Sequence, residues 1–471
     1  MEFLETLNAA VWGIPTLVLI IGVGLYISIR TRFAQFRLFP KALKAFCGQL
    51  TGKTDSNGVS SYQALCTALA ATVGTGNLAG VAGAIAIGGP GAIFWMWVCG
   101  FLGMATKFAE AVLAIRYRIK NDSGEFVGGP MYMICNGLSK NAHWLAGVYC
   151  FFGVVASFGV GNATQINTVI SGINSALTAV GGKSSFFGNL VMGAGLGVLI
   201  AVMLLGGAKR IGTAAEALVP FASVAYLLLG VFVLIAKADA IPYALRAIVV
   251  GAFSPGSVTG GMLGSSFIAL RIGASRGVFT NEAGMGTASI AHASASVKHP
   301  VDQGMMGIME VFLDTIVICT MTALVILCSG IEIRYGTDTG IALTSNAFSE
   351  VLGDWTTIPI ALALCCFAIA TVLGWGLYGI RCAQYLFGDN AWRGFAILQG
   401  VMVFVGAIMN TQTVWVLAEC VNGLMAIPNL IALALLTPQL RKITIGYKKS
   451  PTNVGPRIVK RGIDDSYRLT E

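Results

Sequence analysis

The chain has 471 residues, of which 56% are hydrophobic and only 11% are charged. Soluble domains carry about 25% charged residues, so this composition excludes an ordinary soluble protein and is typical of a polytopic membrane protein. The net charge of +9 does not indicate a nucleic-acid partner, because the basic residues border apolar runs as topology signals do. Since no polar stretch is long enough to bury its own core, we expect one integrated all-α bundle in the lipid bilayer.

Apolar stretches long enough to cross a bilayer occur along the whole chain. About twenty residues of α-helix span the hydrocarbon core, and hydropathy together with Gly and Pro punctuation predicts eleven transmembrane helices. The predicted spans are roughly 9–29, 62–88, 91–115, 144–178, 188–206, 214–236, 258–297 (interrupted), 305–330, 356–380, 393–411 and 414–437.

The distribution of charge predicts the orientation. The N-terminal MEFLETLNAA is acidic, and the basic residues follow the first span, so this span is not expected to be a cleaved signal peptide. This charge pattern predicts an external N-terminus and a cytoplasmic loop at about 30–61. Eleven crossings then place the C-terminus in the cytoplasm, and the tail is independently rich in Lys and Arg. The pattern predicts a multi-pass protein of the cytoplasmic (inner) membrane.

Two of the spans are interrupted by small and polar residues. The second contains ATVGTGNLAG (71–80) and the seventh contains RGVFTNEAGMGTA (276–288), five spans later. Two five-helix halves that each open with a broken helix, and enter the membrane from opposite sides, are typical of an inverted-repeat transporter. The predicted organisation is an N-terminal extra helix with its basic loop (1–61), a first five-helix repeat (62–240), a second repeat (241–440) and a basic tail (441–471).

The residue types in the breaks suit a small zwitterion together with a cation. A broken helix exposes carbonyl groups at one end and N–H groups at the other, which can hold a cation and a carboxylate respectively. Thr75 and Asn77 in the first break, with Thr280 in the second, add oxygens without a fixed charge. A simple glycine kink for helix packing is the alternative. The glycines of GTGNLAG differ by one residue from the spacing of the dinucleotide-binding motif, and no predicted strand precedes them, so a dinucleotide site is disfavoured.

Three motifs resemble the alanine/glycine:cation symporter family. They are GTGNLAGVAGAIAIGGPGAIFWMW (74–97), GNATQINT (161–168) and RGVFTNEAGMGTASIAHA (276–293), within a likeness that runs from about residue 10 to 445. The resemblance implies sodium-coupled amino acid carriers of the amino acid–polyamine–organocation superfamily. It also implies a LeuT-type 5+5 inverted repeat with one extra N-terminal helix, co-transported sodium and no organic cofactor.

The resemblance also implies which residues contact the substrate. Thr75 and Gly76 would receive the carboxylate, and Gln165 and Asn281 resemble the polar substrate contacts of the family. Trp375 would line the pocket and limit the size of the substrate side chain, with Phe279 and Thr371 nearby. The alternatives are that Gln165 only bridges helices and that Trp375 is a core aromatic.

The same resemblance implies a sodium site between the first break and the ninth span. Its ligands would be the carbonyls of Ala70 and Val73, a carbonyl near Ala368, and the Thr371 hydroxyl. Val372 stands where some relatives offer a second hydroxyl, which leaves the number of ligands open. Neutral oxygen ligands suit a monovalent ion better than calcium.

Charged residues within the spans are functional candidates. Glu282 is a relay for protons or cations, or, as we favour, a structural tie to Arg276 or Arg271. Glu310 and Asp314 form an interfacial gate or, as we favour, are solvated near the cytoplasm.

Lys107 and Glu110 lie near a predicted helix end, so snorkelling towards the interface is expected.

The sequence therefore predicts a sodium-coupled symporter that imports alanine or glycine by alternating access. No nucleophile with a base and no metal-binding set of side chains is present in the motifs, so we do not expect an enzyme. A channel is disfavoured because the polar groups cluster at two mid-membrane breaks. Serine or another zwitterion as substrate, and proton coupling, remain open, as does the oligomeric state.

Overall fold

The computed structural model describes residues 6, 11–51, 58–121, 124–179, 181–259, 261, 265–337, 340–409 and 411–447, with the backbone alone at 51, 179 and 411–419. The predicted basic tail at 441–471 therefore lies mostly outside the described residues. The described residues are α-helical almost throughout, with one antiparallel pair of short strands, β1 (Ile119–Lys120) and β2 (Phe126–Val127).

The helices follow one another with short connections. In chain order they are α1 (Ile14–Arg30), α2 (Ala34–Arg37), α3 (Phe39–Thr51), α4 (Ser61–Thr72), α5 (Val81–Gly88), α6 (Gly91–Tyr117), α7 (Pro130–Gly137), α8 (Trp144–Phe158), α9 (Thr164–Ala179), α10 (Phe186–Leu204), α11 (Gly207–Ala236), α12 (Ile241–Phe253), α13 (Ser266–Asn281), α14 (Thr287–Ala293), α15 (Pro300–Val311), α16 (Thr320–Ser329), α17 (Ile341–Leu352), α18 (Thr357–Phe387), α19 (Ala391–Gly406) and α20 (Thr411–Gly446). Three π-helical segments join neighbouring helices, at Gly76–Gly80, Gly159–Ala163 and Phe312–Cys319.

The lengths and hydropathies of these helices confirm a multi-pass membrane protein. Within the described residues, seven helical segments are long and apolar enough to cross a bilayer, and an eighth results if α4 and the segment after it form one bent span. The helices α1 and α19 are apolar but shorter. The coarse prediction of a polytopic helical bundle is thus confirmed, whereas eleven crossings remain a prediction.

Five helices have no counterpart among the predicted elements, namely α2, α3, α7, α12 and α17. The 13-residue α12 and the 12-residue α17 lie between predicted spans. Both are too short to cross the membrane, so a window of about twenty residues averages them with their polar flanks. Thr344 of α17 donates a hydrogen bond of 3.0 Å to the carbonyl of Leu78, which places this helix over the first break.

Glycine allows several helices to approach closely. A Cβ on Gly91 of α6 would lie only 2.1 Å from the carbonyl carbon of Gly251 in α12, and one on Gly197 of α10 would lie 2.6 Å from the oxygen of Gly400 in α19. Small residues at such crossings are the usual means by which membrane helices pack, because lipid supplies no hydrophobic drive between them.

The first predicted break is confirmed. The helix α4 begins with a capping box between Ser60 and Gln63 and ends at Thr72. Val73 then has extended backbone, and helix resumes from Gly76 in a direction 52° away. The N–H of Gly74 donates to Asn77 Oδ1 at 2.9 Å, in place of the Ala70 carbonyl that a continuing helix would offer.

The second predicted break is also confirmed, slightly later in the chain than the centre of its motif. The helix α13 continues through Asn281, and the irregular segment is 282–286 before α14 begins at Thr287. Gly284 and Gly286 have φ of 94° and 81°, and Glu282 adopts the left-handed conformation at φ 53°. A non-glycine residue there is uncommon and indicates local strain that its surroundings must offset.

Candidate functional site

The two broken helices touch each other. A Cβ added to Gly76 would lie 3.0 Å from Cγ2 of Thr280 and 3.6 Å from Cδ1 of Phe279. The absence of a side chain at Gly76 is therefore what allows the end of α13 to approach the first break. The structure thus brings the predicted site residues Gly76 and Phe279 together.

Two further predicted residues meet at the first break. A Cβ on Gly74 would lie 2.7 Å from the Thr371 hydroxyl oxygen and 3.5 Å from Gln165 Oε1. One turn further along α18, a Cβ on Gly374 would lie 3.0 Å from the Cβ of Ala71. The end of α4 therefore packs directly on α18, with α9 on the other side.

Two polar atoms at this junction have no hydrogen-bond partner in the described part of the chain. They are Thr75 Oγ1 and Gln165 Oε1, on side chains that are 0% and 3% exposed. Buried polar atoms are nearly always paired, so each unpaired one requires a physical cause. A hydroxyl that can donate and an amide oxygen that can accept are suited to a carboxylate and an ammonium group respectively.

Gln165 is positioned by a π-helical segment that was not among the predicted irregularities. Its Nε2 donates to the carbonyl of Val160 at 3.2 Å, within Gly159–Ala163. π-Helical turns inside α-helices are frequent at functional sites. The closely spaced glycines of FGVGNATQ were the available signal, and they could have predicted a third irregularity.

Trp375 lies between this π-helical segment and the second break. A Cβ on Gly161 would lie 2.2 Å from the Cβ of Trp375, so only glycine fits against this side chain. The indole Nε1 donates to Glu282 Oε1 at 2.8 Å, and Thr287 Oγ1 donates to Glu282 Oε2 at 2.7 Å. Glu282 is thus a structural tie, the favoured alternative, but its partners are Thr287 and Trp375 instead of an arginine.

A chain of hydrogen bonds connects the two breaks. Asn77 Nδ2 donates to Asp314 Oδ1 at 2.6 Å, and Thr315 Oγ1 donates to Asp314 Oδ2 at 2.8 Å. Asn281 Nδ2 in turn donates to Thr315 Oγ1 at 3.1 Å. Asp314 and Thr315 belong to the π-helical segment Phe312–Cys319, which therefore links the two broken helices.

Asn281 has a different immediate role from the one implied by the resemblance. Its Nδ2 is bonded to Thr315, and its Oδ1 accepts the N–H of Ala283 at 3.0 Å. In this structure the amide joins two helices and fixes the start of the irregular segment. Contact with a substrate remains a prediction for this residue.

The charged residues predicted to be solvated or snorkelling are buried, so those predictions are wrong. Lys107, Glu110, Glu310 and Asp314 are all 0% exposed. Lys107 Nζ lies 2.7 Å from Glu310 Oε1, and His292 Nε2 lies 3.0 Å from Glu310 Oε2. Distance along α6 suggested an interfacial position, whereas α14 and α15 cover this part of the helix.

Glu110 stabilises the irregular backbone of the second break through hydrogen bonds. Its Oε1 accepts the N–H groups of Gly284 and Gly286, both at 3.1 Å, and the amide Nδ2 of Asn429 at 2.9 Å. Irregular backbone at membrane depth must find such partners because lipid offers none.

The predicted cation site has the expected geometry only in part. Thr371 lies against the break, and its hydroxyl donates to the Phe367 carbonyl at 2.9 Å, which leaves oxygen lone pairs available. The Ala70 carbonyl is released from its usual helical donor, since Gly74 N–H bonds Asn77. Val73 ends α4 with extended backbone and Ala368 is buried in α18, but ion ligation by the four predicted residues remains a prediction.

A multi-pass bundle in which two broken helices meet beside buried, unpaired polar atoms defines a secondary transporter. The chain belongs to the sodium:alanine symporter family, whose model matches residues 1–458. It is 42% identical to the sodium/alanine symporter AgcS of Methanococcus maripaludis, over 93% of this chain and 95% of the relative. It is 40% identical to an uncharacterized transporter of Haemophilus influenzae, over 94% of each chain. The protein is therefore a transporter and not an enzyme.

The fold is similar to that in the crystal structure of MhsT in complex with L-phenylalanine. The TM-score is 0.56 at 14% identity, with 84% of this chain and 99% of that chain covered. This likeness confirms the LeuT-type architecture at the level of the overall fold, and it says nothing about the ligand of this chain.

The buried ion pair between Lys107 and Glu310 should stabilise the fold. Lys107→Met should lower the free energy of unfolding by about 3–5 kcal/mol, because it leaves the Glu310 carboxylate buried without its cation. The double variant Lys107→Met/Glu310→Gln should recover part of this loss. The measurement is thermal unfolding of detergent-purified protein. Lys209→Met, at an exposed lysine, is the control, and a Lys107→Met melting temperature equal to the control's would contradict the role of the pair.

Proposed function

We propose that the protein is a sodium-coupled secondary symporter that imports a small neutral amino acid, alanine or glycine, across the cytoplasmic membrane by alternating access. The observation that carries the proposal is the pair of buried unpaired atoms, Thr75 Oγ1 and Gln165 Oε1, beside the first break. A zwitterion supplies both the acceptor and the donor that these two atoms require.

The substrate carboxylate would bind at the first break. Because the first N–H groups of a helix have no intrahelical partner, the segment that resumes at Gly76 would offer donors and the positive end of a helix dipole to an anion. Thr75 adds a hydroxyl donor, and Gln165 Oε1 would accept from the substrate ammonium. Phe279 and Trp375, both buried, would line the pocket beside the substrate side chain and so limit its size.

The sodium ion would bind on the other side of the same break. The carbonyls of Ala70 and Val73, a carbonyl near Ala368 and the Thr371 hydroxyl are its proposed ligands. Because Thr371 also lies against Gly74, ion binding would order the segment that receives the carboxylate. Such coupling is worth about 1–3 kcal/mol and is reciprocal, so each ligand should raise the affinity for the other.

Alternating access would involve both breaks together. The link from Asn77 through Asp314 and Thr315 to Asn281 gives a physical route by which rearrangement at one break reaches the other. The proposed site residues are at most 8% exposed, which suits a carrier that occludes its substrate better than an open channel.

The proposed topology has eleven crossings, with residues 62–240 and 241–440 as inverted repeats and the N-terminal helix as an addition. The N-terminus would lie outside and the C-terminus in the cytoplasm. The basic residues after α1 and in the C-terminal tail support this orientation. The two broken helices, each at the start of a proposed half, support the repeat.

Purified protein in liposomes should take up labelled alanine against its gradient when sodium is higher outside. The expected result is saturable uptake that an inward sodium gradient accelerates and that unlabelled glycine inhibits. Uptake that is indifferent to sodium but driven by a proton gradient would identify protons as the coupling ion. Non-saturable flux without counterflow would indicate a channel. Competition by serine tests whether the site also accepts this larger amino acid.

Thr75→Val should weaken alanine binding about 10- to 150-fold, because it removes a hydrogen bond to a charged group. The measurement is the alanine concentration for half-maximal uptake at saturating sodium. Thr67→Val, at a buried threonine of α4 whose hydroxyl donates to the Gln63 carbonyl, is the matched control. Equal alanine affinity in both variants would remove Thr75 from the substrate site.

Thr371→Val should instead raise the sodium concentration for half-maximal uptake, by about tenfold for a ligand worth about 1.4 kcal/mol. Thr437→Val, at a buried threonine that bonds the Leu433 carbonyl, provides the matched control. Because binding is coupled, the alanine dependence at saturating sodium should change less than the sodium dependence. An unaltered sodium dependence in Thr371→Val would locate the ion elsewhere.

A further inference from the structure

Four buried oxygen atoms near the second break have no hydrogen-bond partner among the described residues. They are Glu110 Oε2, Asn429 Oδ1 and the hydroxyls of Tyr149 and Tyr378. Their side chains are at most 2% exposed. An unpaired buried polar atom costs about 1–3 kcal/mol, so four of them in one region indicate a ligand outside the polypeptide chain.

Glu110 and Asn429 are direct neighbours. Glu110 Oε1 accepts from Asn429 Nδ2 at 2.9 Å, so the second oxygens of the two side chains lie in the same small region. Asn429 Nδ2 also donates to the Gly284 carbonyl at 2.9 Å, which fixes the orientation of its amide. The unpaired Oδ1 lies against Gly286, where an added Cβ would be 2.9 Å from it, while the Gly286 N–H is already bonded to Glu110.

Helix packing brings Tyr149 to the same level. A Cβ on Gly153 would lie 3.7 Å from the Met425 sulfur, and one on Gly137 would lie 2.8 Å from Leu436 Cδ2. Gly153 of α8 therefore packs on α20 at Met425, one turn before Asn429, and Tyr149 lies one turn before Gly153 on α8.

Tyr378 approaches from α18. Its ring lies 5.8 Å from that of Trp375, whose indole is bonded to Glu282. Tyr149 and Tyr378 both lie within electrostatic range of Glu110, and Lys107 lies within the same range. The tyrosines thus complete a polar lining contributed by four different helices.

The cations of the region are already paired. Lys107, one turn before Glu110 on α6, contacts Glu310, which also contacts His292. Glu282, the other carboxylate facing this region, accepts hydrogen bonds only from the neutral groups of Thr287 and Trp375 among its contacts in the described chain. Among the described residues Glu110 therefore has no cation in direct contact, and an ionised carboxylate without one is costly inside a membrane protein.

The geometry points to a binding site for one small monovalent cation, a sodium ion or a proton, at Glu110 Oε2, Asn429 Oδ1 and the Tyr149 hydroxyl, with Tyr378 beside it. This cation is additional to the sodium proposed at the first break, and the inference rests on the proposed symport function. Because the other oxygen of Glu110 holds Gly284 and Gly286, occupancy of the site acts directly on the second break.

Glu110→Gln is the informative variant. Its oxygen can keep the three N–H donors of Gly284, Gly286 and Asn429, and its new amide can donate to Asn429 Oδ1, so the fold is retained without a cation. Tyr149→Phe removes one proposed ligand and leaves the carboxylate, which provides a second, milder variant. Glu216→Gln, at a partly buried carboxylate bonded to Gln63, is the control for loss of an acidic side chain.

Two measurements distinguish the ions. In the sodium arm, labelled sodium is bound to purified protein at saturating alanine, and Glu110→Gln should bind one ion fewer than wild type and the Glu216→Gln control. In the proton arm, a pH dye inside liposomes should report acidification with alanine uptake by wild type, which Glu110→Gln abolishes. Tyr149→Phe should weaken affinity for the same ion, and a change in either arm supports the site.

Unchanged ion stoichiometry and affinity in Glu110→Gln and Tyr149→Phe, in both arms, would overturn the inference and assign the four oxygens to bound water. Failure of the proposed function has a different signature, namely no sodium-dependent alanine uptake by wild type. If Glu110→Gln does not fold, Tyr149→Phe alone decides the outcome through its ion affinity.

Discussion

A helix that is interrupted inside a membrane must satisfy its own backbone, because lipid provides neither donors nor acceptors. This constraint accounts for the polar side chains that bond the backbone of the two breaks. At the first break Asn77 accepts the N–H that Gly74 would have given to the helix. At the second, Glu110 receives two backbone N–H groups with one oxygen atom.

The same constraint explains why buried charges surround the second break. Its backbone passes through three left-handed residues within five positions, and one of them is Glu282. Neutral side chains offer fewer lone pairs to such a segment than a carboxylate does, and a carboxylate needs compensation in turn. Beside the break, Lys107 and His292 both contact Glu310, so this third carboxylate is compensated within its own cluster.

The sequence was informative where local composition carries the cause. Clustered glycines and polar residues inside an apolar run disfavour a continuous helix, so both breaks could be placed within a few residues. The family motifs selected Thr75 and Gln165, and the fold that the resemblance implies selected Thr371. The burial of Lys107 and Glu310 could not be predicted, because it depends on which helices pack over α6. The π-helical segment around Asp314 carried no glycine, so nothing in its sequence distinguished it from an ordinary turn of helix.

The positions of the π-helical segments complete the physical account of the site. A π-turn inserts a residue into a helix, which redirects side chains and loosens the backbone without a full break. All three such segments in the described chain contact the site: one follows Thr75, one carries the carbonyl that orients Gln165, and one carries Asp314. The bundle therefore combines two complete interruptions, which free backbone groups, with local irregularities that direct side chains towards them. This division explains how one small region can hold unpaired oxygens while the helices around it remain closely packed.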